Sequence, residues 1–130
     1  AGDLASFIKA FDGATNKALL MIERLDTAQL CGCFWITQIS PGHQAFVGMW
    51  MHQASRGSLA VEAARLALAY TFDLCAARHL WAITPWHRAG ALCRKMGFRA
   101  VAHLPQFTTD LRDVTVYRLT KEAFDGQHIL

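Results

Sequence analysis

Charge is scarce in this chain. Only 18% of its 130 residues are Asp, Glu, Lys or Arg, and prolines number three. The balance is apolar, at 53%, which predicts a well-filled core and leaves enough surplus for an oligomer face. No apolar run reaches the roughly 18 residues of a membrane span, because Glu62, Arg65, Asp73 and Arg78 interrupt the richest stretch. A secretory signal pattern is also missing, and the first residue is Ala1 rather than methionine, which suggests a trimmed product. The four cysteines (Cys31, Cys33, Cys75, Cys93) lack the spacing of a disulfide framework, so reduced thiols and a cytoplasmic location are expected. The net charge of +3 is mild and the basic residues form no long block. That argues against a nucleic-acid partner, while Arg88, Arg94, Lys95 and Arg99 gather near one helix and suit a local anion. Repeats, low-complexity segments and linkers are absent, and 1–130 reads as one domain.

What is present is a succession of short periodic segments. Leu4, Phe7, Ile8 and Phe11 recur at helical spacing, with Gly13 as a stop, and predict a first helix. Lys17–Arg24, Cys31–Ser40 and Ala45–His52 read as strands joined by short turns, which predicts an antiparallel meander. Leu59 to Ala77 reads as a long helix with one stripe at Leu59, Ala63, Leu66, Tyr70 and Leu74 and a second at Val61, Leu68, Phe72 and Cys75. His79–Thr84 reads as a buried strand. The order from Ala45 to Thr84 is then a strand–helix–strand crossover with the two strands parallel. A second helix follows, with Thr84 as N-cap, Pro85 at its first position, an apolar stripe of Ala89, Leu92, Cys93 and Met96, and Gly97 at its C-terminal end. Arg99–Leu104 and Val114–Thr120 are the last strands, separated by the polar loop Pro105–Asp113. The predicted class is α/β with a mixed, mostly antiparallel sheet.

Chemistry concentrates where Ala45–His52 gives way to the long helix, at Arg56-Gly57-Ser58-Leu59-Ala60-Val61. A strand that turns through Arg-Gly into a helix leaves backbone N–H groups unpaired at the helix's positive end, a setting that favours a phosphate. Read alone, this loop is also an ordinary helix cap.

Two segments in this order resemble the GNAT superfamily of acetyl-CoA-dependent N-acetyltransferases. The family's loop reads Gln/Arg-x-x-Gly-x-Gly/Ala, and here Arg56 and Gly57 match while Leu59 stands for the usual central glycine. Its second motif reads Asn-x-x-Ala-x-x-Leu-Tyr-x-x-x-Gly-Phe. In Trp86 to Phe98, Ala89, Leu92, Gly97 and Phe98 fall in register, with Trp86 for the asparagine and Cys93 for the tyrosine. The likeness runs from about Lys17 to Thr120, and the family's first strand is expected to be missing.

The resemblance implies acetyl-CoA as co-substrate, held by Met51, His52, Arg56, Gly57, Ser58, Leu59, Ala60, Trp86, Arg88 and Ala89, with Lys95 as a further phosphate contact. It implies direct transfer of acetyl to a primary amine, of a small molecule or a protein, in a ternary complex. A backbone N–H near Trp50, Met51 or His52 would steady the oxyanion. Direct transfer also needs a base and an acid. His52, an imidazole of the kind that serves as a general base, and Glu23 are the candidate bases, against readings as a surface histidine and a solvated strand-end carboxylate. Cys93, or Tyr117, is the candidate acid, against packing in the core. Cys31-x-Cys33 invites a metal, but no second pair completes a site, and none is expected. A non-catalytic CoA-binding or protein-interaction module is the alternative function, and a homodimer is an expected assembly.

Overall fold

The computed structural model describes residues 5–12 and 16–127. The elements run β1 (Ala5–Asp12), β2 (Lys17–Arg24), β3 (Leu30–Ser40), β4 (Gln44–Met51), a 3-10 turn (Gln53–Ser55), α1 (Ser58–Cys75), β5 (His79–Thr84), α2 (His87–Lys95), β6 (Arg99–Leu104), β7 (Val114–Thr120) and α3 (Lys121–Gly126). Among the described residues these strands form one seven-stranded sheet in the order β1-β2-β3-β4-β5-β7-β6. All neighbours are antiparallel except β4 and β5. The mixed α/β class and the crossover from β4 through α1 to β5 are as the periodicity predicts.

The first element is not a helix. Residues Ala5 to Asp12 pair along their whole length with β2, from Ala5↔Arg24 to Asp12↔Lys17. An eight-residue apolar segment fits either period, and a sheet edge that can satisfy its backbone decides for a strand. Leu4 and Gly13 of the helical reading lie outside the described residues. The second helix also starts later than Thr84-Pro85 suggests: Trp86 is its N-cap and His87 its first residue. The Thr84 hydroxyl accepts the Trp86 N–H at 3.1 Å, a local turn that precedes the helix. The C-terminal helix α3 was not apparent from periodicity; Thr120 caps it by accepting from the Ala123 N–H.

One face of the sheet supplies the core. Leu20, Ile22, Ile36, Leu80 and Leu119 are at most 1% exposed, and each such side chain contributes about 1.5–3 kcal/mol of transfer free energy. Against them lies α1, which buries Leu59, Ala60, Ala63, Ala64, Ala67, Leu68, Thr71, Phe72 and Cys75. These form two adjacent rows, one from Leu59 to Cys75 and one from Ala60 to Phe72, each advancing in steps of four, so the buried face drifts around the helix as it crosses the twisted sheet. Leu66 and Leu74, on the first expected stripe, are left behind at 37% and 38% exposure. The alanines in these rows let the helix backbone sit close to the strands. Among the described residues no helix is long and apolar enough to cross a membrane.

Candidate active site

The site begins with a broken pairing. β4 and β5 run parallel through Gln44↔His79, Ala45↔Leu80 and Phe46↔Trp81, and there the ladder between them stops, although β4 continues to Met51 and β5 to Thr84. Each strand stays paired on its other side, β4 with β3 and β5 with β7. The His52 N–H donates to the Cys31 carbonyl at 2.7 Å. Successive strand residues aim their N–H groups to opposite sides, so those of Met49 and Met51 face the opening. Of the three positions read for an oxyanion donor, Met51 has this orientation; His52 spends its N–H on β3.

Behind the opening is an apolar cavity of about 60 Å³. Val47 and Met49 of β4, Ala82 of β5, Leu68 of α1 and Leu92 and Cys93 of α2 are among its walls. Burial, opposed only weakly by Arg94, pushes the Cys93 thiol up to about 11. A thiol so weakly acidic stays protonated at neutral pH and gives its proton uphill to an ordinary alkyl thiolate, whose reference value is about 8.5. Cys93 therefore serves the cavity as a wall better than as an acid. Tyr117 is buried on β7 beneath α2. A Cβ built on Gly90 would strike its hydroxyl, so the missing side chain is what lets α2 settle on this tyrosine.

After β4 and the 3-10 turn comes the start of α1. Gly57, its N-cap, has φ 98° and ψ −136°, a conformation that side chains other than glycine's avoid. No atom lies within 4 Å of where its Cβ would be. The first intrahelical bond is from the Val61 N–H to the Gly57 carbonyl at 3.1 Å. The N–H groups of Ser58, Leu59 and Ala60 precede it, without a side-chain cap and without an acidic residue in the first turn. Leu59 and Ala60 put their side chains into the core, so any part they take in binding is through the backbone. Arg56 is exposed beside them.

The start of α2 differs. Trp86 is 56% exposed, and the Arg112 guanidinium lies over its ring, 4.4 Å from the centroid. Arg112 is itself paired with Asp110 at 2.7 Å; the Thr108 hydroxyl, and after it this guanidinium, hold the Asp110 carboxyl below its ordinary value. Trp86 is thus packed at the rim by a loop residue that motif reading overlooked. Arg88 and Lys95 are exposed and Ala89 is half-buried.

On the far side of β4 is a second, wider cavity of about 380 Å³, lined by Arg24, Gln29, Leu30, Cys31, His52, Ala54 and Ser55. His52 is exposed at the end of β4, and its Nδ1 accepts the Ala54 N–H at 3.3 Å. Glu23 is half-buried on β2 and is not among the lining residues, although its neighbour Arg24 is. The structure therefore joins His52 to a cavity and leaves Glu23 apart from it. Arg24, Gln29 and Ser55 escaped sequence reading, because residues at or just beyond the ends of three different strands, brought together only by their pairing, leave no periodic signal. Among the described residues no three His, Cys, Asp or Glu side chains converge as a metal site.

No family model matches the sequence, and no curated protein does. Solved structures do match. Spermidine/spermine N-acetyltransferase SpeG from Vibrio cholerae superposes with a TM-score of 0.79 at 16% identity, over 89% of this chain and 71% of that one. A GNAT-family acetyltransferase from Bacillus anthracis gives 0.72 at 16%, over 80% of this chain and 66% of the other. A protein described as a probable acetyltransferase gives 0.73 at 16%, over 84% and 63%. The chain has the fold of the GNAT acetyltransferases. It spans about two thirds of the length of the last two structures.

Proposed function

We propose that the chain is an acetyl-CoA-dependent N-acetyltransferase that acts on a primary amine. One observation carries this reading: β4 leaves β5 beyond Phe46↔Trp81, and its freed end leads through a single 3-10 turn to the uncapped start of α1. Such an opening admits a narrow extended arm between two strands, and the helix start beside it offers N–H groups and a positive dipole to a phosphate. The residues fit the co-substrate, since the space at Gly57 is clear and the cavity walls are apolar.

In this reading the backbone N–H groups of Gly57, Ser58, Leu59 and Ala60 hold the pyrophosphate, with Arg56 beside them. Arg88, Ala89 and Trp86 border the nucleotide end, and Lys95 adds charge on α2. Acetyl-CoA supplies an acetyl group already activated as a thioester. The Met51 N–H steadies charge on its carbonyl oxygen. His52 takes the amine's proton at Nδ1 after releasing Ala54, a bond whose net worth is about 1 kcal/mol; Glu23 acts only through an intervening water. Reduced cysteines suit the cytoplasm, and the cross-strand pair of exposed Leu19 and Trp35 supports a homodimer.

The test is calorimetry with acetyl-CoA, followed by free-thiol release with a panel of amines. The panel includes spermidine, because the Vibrio cholerae neighbour is a spermidine/spermine acetyltransferase. No heat at about 1 mM ligand, a weak-binding limit, overturns the reading. A second reading, a CoA binder without catalysis, is favoured by the poorly acidic Cys93 thiol. Binding without thiol release for any amine would select it.

A further inference from the structure

We infer that the 380 Å³ cavity beyond β4 takes an acceptor carrying a carboxylate beside its amine, of the amino-acid type, rather than a polyamine. This rests on the acetyltransferase reading for the chemistry that follows, but not for the binding itself. Arg24 lines the cavity, and neither an Asp nor a Glu is among the described residues that do. Asp26 engages one edge of the guanidinium, Nε to Oδ1 and Nη2 to Oδ2, both at 3.0 Å. A guanidinium has five N–H donors in a planar fork. Two are spent on Asp26 and three remain, enough for a second carboxylate.

A polyamine would bring several positive charges to a lining whose only charged side chain among the described residues is Arg24 and which holds no carboxylate to meet them, Asp26 being already engaged by that guanidinium. An amino acid meets the same wall with complementary groups. Its carboxylate is placed for the remaining Arg24 donors and the Gln29 amide. Its side chain lies against Leu30, Cys31 and Ala54, and its amine towards His52, at the end of the strand whose other edge borders the opening. In the transfer the substrate ammonium gives one proton to His52, the C–N bond forms as the C–S bond breaks, and the nitrogen's second proton passes through water to the departing thiolate.

The test is an NMR titration of the full chain, with and without coenzyme A, using L-leucine, L-leucinamide and spermidine as probes. Leucine is expected to shift the Arg24 Nε–H and the amides of Gln29, Ala54 and Ser55, binding about tenfold or more tightly than leucinamide, the value of one charge-assisted hydrogen bond. Spermidine is expected to leave these signals unmoved. Arg24→Gln should erase the difference between leucine and leucinamide while acetyl-CoA still gives its wild-type heat. Asp26→Asn, which frees Arg24, should bind leucine at least as well as wild type. Equal affinity for leucine and leucinamide, saturation by spermidine first, or no shift with either amino compound overturns the inference. Leucine binding in a protein that gives no heat with acetyl-CoA would overturn the catalytic reading and keep the cavity's assignment.

Discussion

The two helices that start at the same end of the sheet make unlike use of their positive ends. α1 begins at Gly57 with clear space where a side chain would be and no side-chain cap. α2 begins at Trp86, whose ring is covered by Arg112 at 4.4 Å and whose N–H is taken by the Thr84 hydroxyl. Both carry the dipole that attracts an anion, so the difference lies in access rather than charge. An open helix start beside a strand opening can receive a ligand along its backbone. A start roofed by a tryptophan and an arginine can only border one.

The sharpest way to break this contrast is to close the open end. Gly57→Glu places a carboxylate at the phosphate position, and acetyl-CoA affinity should fall about a hundredfold or more, the worth of two lost charge-assisted contacts with repulsion added. The same substitution forces a side chain into φ 98° and should cost roughly 1–3 kcal/mol of stability by denaturant unfolding. Gly57→Ala carries that strain without the charge, so it should match the stability loss and lose less affinity. Equal affinity losses in both variants would mean that backbone shape, not charge, sets binding.

Next in size is the seat of α2. Gly90→Ala drives a methyl into the Tyr117 hydroxyl and should destabilise by about 1–3 kcal/mol. Adding Tyr117→Phe should recover part of that loss, and a double variant no better than the single would place the clash elsewhere.

The Cys93 thiol gives a smaller, pH-dependent effect. Burial raises it from 9.0 to about 11 in the folded chain, so the unfolded chain loses this proton first. Stability from this group is fully present below the unfolded value and declines as pH rises from about 9 towards 11. The slope is roughly 1 kcal/mol per pH unit at most. Cys93→Ala should flatten the decline seen in thermal unfolding across that window; the part due to Cys75, also raised by burial, would remain.

The covered end should matter least. Trp86→Ala removes the Arg112 contact, worth about 0.5–1 kcal/mol at an exposed site. We expect acetyl-CoA affinity within about threefold of wild type, under 0.7 kcal/mol. A larger loss by calorimetry would make Trp86 a binding residue equal to the α1 loop.

Most of the fold was legible because its signals are local. Leu59 to Ala77 shows a helical period that the structure ends at Cys75, with Ala76 as a left-handed cap, His79–Thr84 and Val114–Thr120 end where their patterns end, and Gly97 closes α2 with φ 99°. Where two periods compete, as in Ala5–Asp12, only the partner strand settles the choice. The site divides the same way. Arg56 and Gly57 stand out in sequence because a helix start needs particular backbone chemistry. Arg24, Gln29 and Ser55 belong to three segments and carry no shared spacing.

By itself, then, the sequence determined α1, the body of α2, the crossover and the glycine at the head of α1, since each depends on neighbours within a few residues and on steric limits at single positions. The tertiary structure alone decided that β4 parts from β5 after Phe46↔Trp81, that Arg112 roofs Trp86, and that Arg24 and His52 share one cavity. Those are contacts between distant segments, set by how twisted strands pair and how helices pack on them, and no local pattern encodes them.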